Sequence, residues 1–364
     1  MRGSAAPSDG GGTPPEGISR EELQLAARNH GMPLEALRYD VTPAGLHYLL
    51  IHYDIPPVDV AVWRLRVGGS VARPRELSLD ELRRSPTVTQ AVTLECAGNG
   101  RAFLDPRPVS QPWLLEAVGN AEWTGVPLRD VLEDSGVGPG TLEVLFTGLD
   151  RGVEGEVEQA YERSLPLDEA MREDVLLAFE MNGEPLPPQH GFPLRLVVPG
   201  WYGMTHVKWL SRVSVLTEPF AGYQQARGYR LRSDPDEDGV PLARIRPRSL
   251  MVPPGIPEFL TRSRIVDAGK QVVRGRAWSG LAPIERVEFS DDEGRTWWEA
   301  ELDPASGSAF AWRGWSFEWL ASPGERVLCS RATDGSGASQ PLEPPWNVGG
   351  YANNAVQRIP ALVR

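Results

Sequence analysis

Between residues 231 and 258 the chain changes character. Asp234, Asp236, Glu237 and Asp238 form an acidic run, and prolines follow at 241, 247, 253, 254 and 257. Proline fixes φ and lacks an amide donor, so neither a helix nor a central strand passes through such a stretch. A boundary near residue 245 follows. The 364 residues then fit two or three units of roughly 100–200 residues each.

On the N-terminal side of the break the pattern is mixed. Residues 1–17, rich in Gly, Pro, Ser and Ala, predict a flexible tail. Ile18 to Leu37 predicts a short helical stretch, with Ser19 and Glu22 in capping-box spacing. Val60–Val67 and Val88–Leu94 read as strands, bounded by turn residues. Ser78 with Glu81 starts a short helix that ends before Pro86, and Pro127 opens another that stops near Gly136. Leu142–Phe146, Val175–Phe179, Leu194–Val198 and Trp209–Val215 read as further strands. Strands and short helices alternate without a regular βαβ repeat, which is α+β. Beyond residue 245 only short alternating segments occur: Val272–Trp278, Val287–Ser290, Trp297–Leu302, Phe310–Trp319 and Val327–Thr333, with a turn at Asp291–Gly294. That spacing predicts an Ig-like β-sandwich. The expected division is 1–37, tail and short helix; 38–244, the α+β unit; 245–364, sandwich.

Charge narrows the partners. Lys plus Arg total 37 against 49 Asp plus Glu, a net charge of −12, whereas binding to a phosphate backbone needs a basic surface. No nucleic acid is expected, and any anion must be drawn in by a local cluster of arginines. No apolar run approaches the ~18 residues of a membrane span. No export signal is visible, so a cytoplasmic protein is expected, or a periplasmic one where a signal has been removed. The two cysteines, Cys96 and Cys329, form no CxxC or CxxCH, and the five histidines form no HExxH.

Three segments carry candidate chemistry. In Val88–Arg101 a strand runs into a Gly-rich loop with Cys96 at the junction, and Arg101 offers a fixed positive charge that favours thiolate. The same residues admit a structural cysteine before a tight turn, or a nucleophile, although no sequence-local His supplies its base. In His190–Leu210, two strands flank a Pro-Gly loop, and His190, Arg195, His206 and Lys208 can face one anionic group. Lys208 and Lys270 are the only lysines, and lysine suits phosphate as a point charge. In Phe310–Trp319 the aromatic alternation changes register at Arg313-Gly314, which predicts a β-bulge aiming Arg313 outward.

Taken together, these segments resemble the sulfite oxidase family of molybdenum–pterin enzymes. The resemblance runs from about His47 to the C-terminus. It includes His47-Tyr-Leu-Leu-Ile-His52-Tyr-Asp54-Ile-Pro, Thr93-Leu-Glu-Cys-Ala-Gly-Asn, Gly148-Leu-Asp150, Glu180-Met-Asn-Gly-Glu-Pro-Leu-Pro, His190-Gly-Phe-Pro-Leu-Arg195, His206-Val-Lys-Trp-Leu and Ala311-Trp-Arg-Gly-Trp. It implies a molybdopterin-binding domain followed by an Ig-like domain that forms a homodimer. Cys96 would be the thiolate ligand of molybdenum, since a soft sulfur donor suits that metal–pterin centre. His52, Tyr53, Asp54, Asp150, His190, Arg195, His206, Val207 and Lys208 would hold the pterin and its phosphate. Arg101, Trp113 and Arg313 would surround the substrate oxyanion.

The chain also departs from the family pattern. His52-Tyr53-Asp54 stands where many members have Arg-Asn-His, and Gly100 replaces an arginine. The tyrosine those members place near the substrate falls at Ala221, with Tyr223 and Phe220 as neighbours, and Tyr223 is the candidate for its catalytic role. The expected activity is oxygen transfer to sulfite, giving sulfate, with electrons passed to a separate acceptor. Two competing readings are a reductase of nitrate or an S-oxide on the same cofactor, and an Ig-like binding protein with a structural Cys96.

Overall fold

The computed structural model describes residues 17–305 and 307–364; the expectation for the N-terminal tail concerns residues that, apart from Gly17, lie outside these. The chain's first helix is Arg20–Arg28, and the Ser19–Glu22 capping box is formed. It is shorter than predicted, because the chain turns extended at Asn29 and resumes as a 3-10 turn, Leu34–Arg38. Met32, Ala36 and Leu37 are buried, so this segment is docked rather than loose.

Two sheets build the N-terminal part. In the first, Arg75–Leu77, Leu65–Gly69, Leu210–Leu216, Glu143–Glu154 and Val157–Pro166 lie side by side, with one parallel pair, Leu65–Gly69 on Leu210–Leu216. In the second, Val88–Glu95 pairs with Val118–Pro127, which pairs with Leu176–Met181; Glu184–Pro185 and Arg195–Val197 both pair with that last strand. The helices Leu79–Arg84 and Leu128–Ser135 form as predicted, the second ending on Gly136 at φ +70°. Trp63, Phe146, Leu196, Leu210 and Val213 belong to the shared core. The strand predicted at Val60–Val67 begins only at Leu65, because Asp59 takes the preceding residues into a turn.

Beyond residue 245 a four-stranded sheet (Arg248–Met251, Gly269–Trp278, Arg313–Ala321, Glu301–Leu302) faces a six-stranded one. Val273, Trp315 and Trp319 meet Val287, Phe289, Leu328 and Ile359 in one core. The predicted bulge at Arg313-Gly314 does not form. Pairing runs unbroken from Arg313 opposite Ala277 to Ala321 opposite Gly269. The change of aromatic register has another cause: the strand starts at Arg313, and Phe310 to Trp312 belong to the turn before it. Cys329 is a fully buried core thiol, pushed up to about 11 by that burial. No helix among the described residues is long and apolar enough to cross a membrane.

Candidate active site

The strand Val88–Glu95 ends by placing Cys96 in a buried loop, its amide donating to Ala117. Asn99 holds the loop closed, its side chain bonding Glu95, Leu115 and the Ala117 amide. Gly100 sits at φ +86°, where glycine carries no Cβ penalty, and the chain then tightens into the turn Arg101–Phe103. A Cβ on Gly98 would lie 2.6 Å from the Arg101 guanidinium, so the glycine lets that side chain fold back over the loop. Burial pushes the Cys96 thiol up, while Arg101, the Gly98 amide and the Trp113 indole all favour its thiolate. Trp113 packs in the same buried cluster.

Cys96 opens into a cavity of about 680 Å³ of empty space, part of it open to solvent. Of the residues predicted from sequence, His52, Asp150, His190, Arg195, His206 and Lys208 line it together with Cys96. Arg195 donates to the His190 carbonyl at 3.0 Å, and its Nε has no acceptor among the described residues. Lys208 Nζ donates to the carbonyls of Leu50 (2.8 Å) and Gln189 (3.1 Å). Burial, reinforced by Arg195, pulls Lys208 down to about 7 while Asp150 opposes. Asp150 is pushed up to about 6 by burial, and its Oδ1 is unpaired among the described residues. Buried polar atoms without partners are costly unless a ligand satisfies them. This wall is built to grip something anionic and rich in hydrogen-bonding groups.

His47, His190 and His206 are held neutral. His206 accepts from the Val198 amide at Nδ1 (3.1 Å), so Nε2 carries the proton it donates to the Trp201 carbonyl (3.0 Å). Burial depresses His47 to about 4, His206 to about 3 and His190 to about 2. Because these groups bind protons more readily unfolded, their contribution is complete above about 6.5 and fades as pH falls through those values. Thermal melts across this range are expected to show steep acid destabilisation, at most about 1.4 kcal/mol per unit of depression. In His206→Gln the slope of unfolding free energy against pH should be shallower by up to one proton; an unchanged slope would contradict the neutral assignment.

Other predicted residues stand elsewhere. Tyr53 is beside the cavity, its hydroxyl donating to Glu154 and accepting from Gln224. Asp54 is solvent-exposed, 3.8 Å from Arg28, because its side chain turns back to cap Ile55. Val207 belongs to the apolar core, where its alternation along the chain points it away from the cavity. Arg313 donates to the carbonyls of Asp303 (2.7 Å) and Ile284 (3.1 Å), both beyond residue 245, and does not reach the cavity. Tyr223 lies on a one-turn helix against Gly155. The tyrosine on the cavity wall is Tyr229, six residues later, with Tyr48 and Tyr161. Tyr229 Oη lies 3.5 Å from His52 Nδ1, and His52 Nε2 lies 3.4 Å from Glu154. Burial works against the Glu154 carboxylate, but His52, Gln224 and Tyr53 hold it below the usual range.

The C-terminal part reaches this loop directly. Glu95, next to Cys96, makes a buried ion pair with Arg248 at 2.7 Å and accepts from Trp278 at 2.8 Å. Asn353 donates to the Gly100 carbonyl, the Ala352 amide to that of Ala97, and the Thr93 amide to that of Phe310.

A buried thiol facing a cationic, carbonyl-braced wall fits a molybdopterin-dependent oxidoreductase, and comparison with known proteins shows that class. Residues 52–224 match the family described as oxidoreductase molybdopterin binding domain, and 245–363 the Mo-co oxidoreductase dimerisation domain. The chain belongs to the sulfite oxidase family. It is 38% identical to sulfite oxidase of Gallus gallus over 87% of this chain and 72% of that protein. It is 36% identical to mitochondrial sulfite oxidase of Rattus norvegicus, over 88% of this chain and 61% of that one, so it spans about six tenths of that relative's length. The sulfane dehydrogenase SoxCD from Paracoccus pantotrophus superposes with a TM-score of 0.76 at 26% identity, covering 98% of this chain and 92% of that chain.

Proposed function

We propose that this chain oxidises a small sulfur oxyanion, sulfite first, by oxygen-atom transfer at a molybdenum–pterin centre held by Cys96. The observation that carries the reading is the one cavity lined by Cys96, by Arg195, whose Nε is unpaired among the described residues, and by the carbonyl-braced Lys208. The donor set suits the group. Cys96 offers one soft ligand, and no three His, Cys, Asp or Glu side chains among the described residues are grouped as a metal cage. Arg195, Lys208 and Asp150 would hold the pterin and its phosphate, with neutral His190 and His206 shaping the wall.

When bound, that group supplies the transferable oxygen and takes up two electrons. The side chains do the rest. Arg101, fixed by the carbonyls of Gly349 (3.0 Å) and Gln111 (3.0 Å), orients the anion and needs no reorganisation as charge shifts. Sulfite plus water gives sulfate, two protons and two electrons. Tyr229, His52 and Glu154 form a line from the cavity to a half-exposed carboxylate along which protons can leave. The electrons pass to a separate acceptor. For the rest of the molecule we propose a division near residue 245, an Ig-like character for the C-terminal sandwich, and a homodimer formed through it.

The test is elemental analysis of protein expressed with molybdate, coupled to a screen against sulfite, a sulfane-sulfur donor and, in the reducing direction, nitrate and an S-oxide. About one molybdenum per chain and sulfite-dependent reduction of an artificial acceptor are expected. Turnover only with nitrate or an S-oxide would reverse the direction of transfer. Folded protein free of molybdenum would make Cys96 structural.

A further inference from the structure

Along the strand Val157–Pro166 the side chains alternate, and Tyr161, Arg163 and Leu165 turn inward. Arg163 is 2% exposed. Among the described residues no carboxylate pairs with it: Nη1 donates to the Gln224 carbonyl, and Nε has no partner at all. The charged or titratable neighbours that act on it are the phenols of Tyr161, Tyr229 and Tyr351. Arginine keeps its charge in proteins, so this is a buried cation with no counter-charge. Such a group is costly, and an apolar side chain of similar size would serve packing better.

Its position explains the cost. Arg101 is also buried, and likewise donates only to carbonyls. Its Cζ lies 5.1 Å from the centre of the Tyr351 ring, that ring is 5.4 Å from the Tyr229 ring, and Arg163 Cζ is 5.8 Å from the centre of the Tyr229 ring. Two guanidiniums without a carboxylate partner among the described residues are thus linked through a pair of neighbouring phenols, and one of those phenols, Tyr229, lines the Cys96 cavity. We propose that Arg163 is the second fixed cation of the substrate pocket, acting across the Tyr229–Tyr351 pair from Arg101 to select a small divalent oxyanion. It supplies from the Val157–Pro166 strand a fixed positive charge in a chain that has His52 where the family pattern has arginine. The inference rests on the oxidation reading above.

The test uses molybdenum-replete enzyme as wild type, Arg163→Met, Arg163→Lys and the double variant Arg163→Met/His52→Arg. Arg163→Met is expected to raise the sulfite KM and the sulfate inhibition constant about tenfold or more, with kcat changed by less than about threefold. Arg163→Lys should fall between, and the double variant should regain part of the loss. Sulfate should raise the melting temperature of the wild type and not that of Arg163→Met. Unchanged constants in Arg163→Met would overturn the proposal. So would failure of both single variants to accumulate as folded protein, which would make Arg163 a folding group. If the wild type binds sulfate through Arg163 but oxidises no sulfite, the anion site stands and the oxidation reading falls. If it oxidises sulfite and the variants match it, only the present proposal falls.

Discussion

Cys96→Ser is expected to lower sulfite turnover by about a thousandfold or more, equivalent to ~4 kcal/mol of lost transition-state stabilisation. The unfolding temperature should change little. The substitution exchanges sulfur for oxygen in a loop whose shape depends on the Asn99 side chain and on Gly98 and Gly100, all of which stay in place. What it removes is the soft donor, and a hydroxyl oxygen is a poor replacement at such a centre. Steady-state kinetics beside molybdenum content will check this. A serine variant that retains near-normal turnover would show that the sulfur is packing rather than chemistry.

A loss of stability of about 3–5 kcal/mol is expected for Arg248→Met. Both partners of the Glu95–Arg248 pair are about 1% exposed, so removing one leaves the other charge buried and unmatched. Glu95 would keep its bonds from Trp278 and Asn99, which places the loss toward the lower end of the range. The double variant Glu95→Gln/Arg248→Met should recover much of it, because neither remaining group is charged. Denaturant melts of the wild type, Glu95→Gln, Arg248→Met and the double variant give the coupling directly. Additive effects would mean that the pair is not coupled. Since Glu95 adjoins Cys96, the single variant should also lose activity while still folded.

Much of this was legible in the chain, and the failures have identifiable causes. The capping boxes at Ser19 and Ser78 and the stop at Gly136 are local chemistry, and they form as read. The Cys96 loop and the His190–Lys208 segment stand out in the sequence because unusual residues cluster there. Arg313 misled because a change of aromatic register looks the same whether a strand bulges or simply begins. Tyr229 carries no local motif; its place on the wall depends on how the irregular segment after Leu216 folds back. Arg163 did leave a signal, a cation on the inward face of an alternating strand. Glu95–Arg248 left none, since two charges 153 positions apart meet only through the packing of the two halves.

The anchoring of Arg101 has an evolutionary corollary. Its two guanidinium contacts fall on Gln111 and Gly349, one in each half of the polypeptide, and Asn353 clasps the adjacent Gly100. Neither half is therefore an interchangeable cassette. A chimaera that joined this N-terminal portion to another member's C-terminal portion would inherit the thiol and the Gln111 contact but not the Gly349 contact that completes the brace. Drift in the 347–354 segment would then alter substrate preference as readily as drift at the cavity wall.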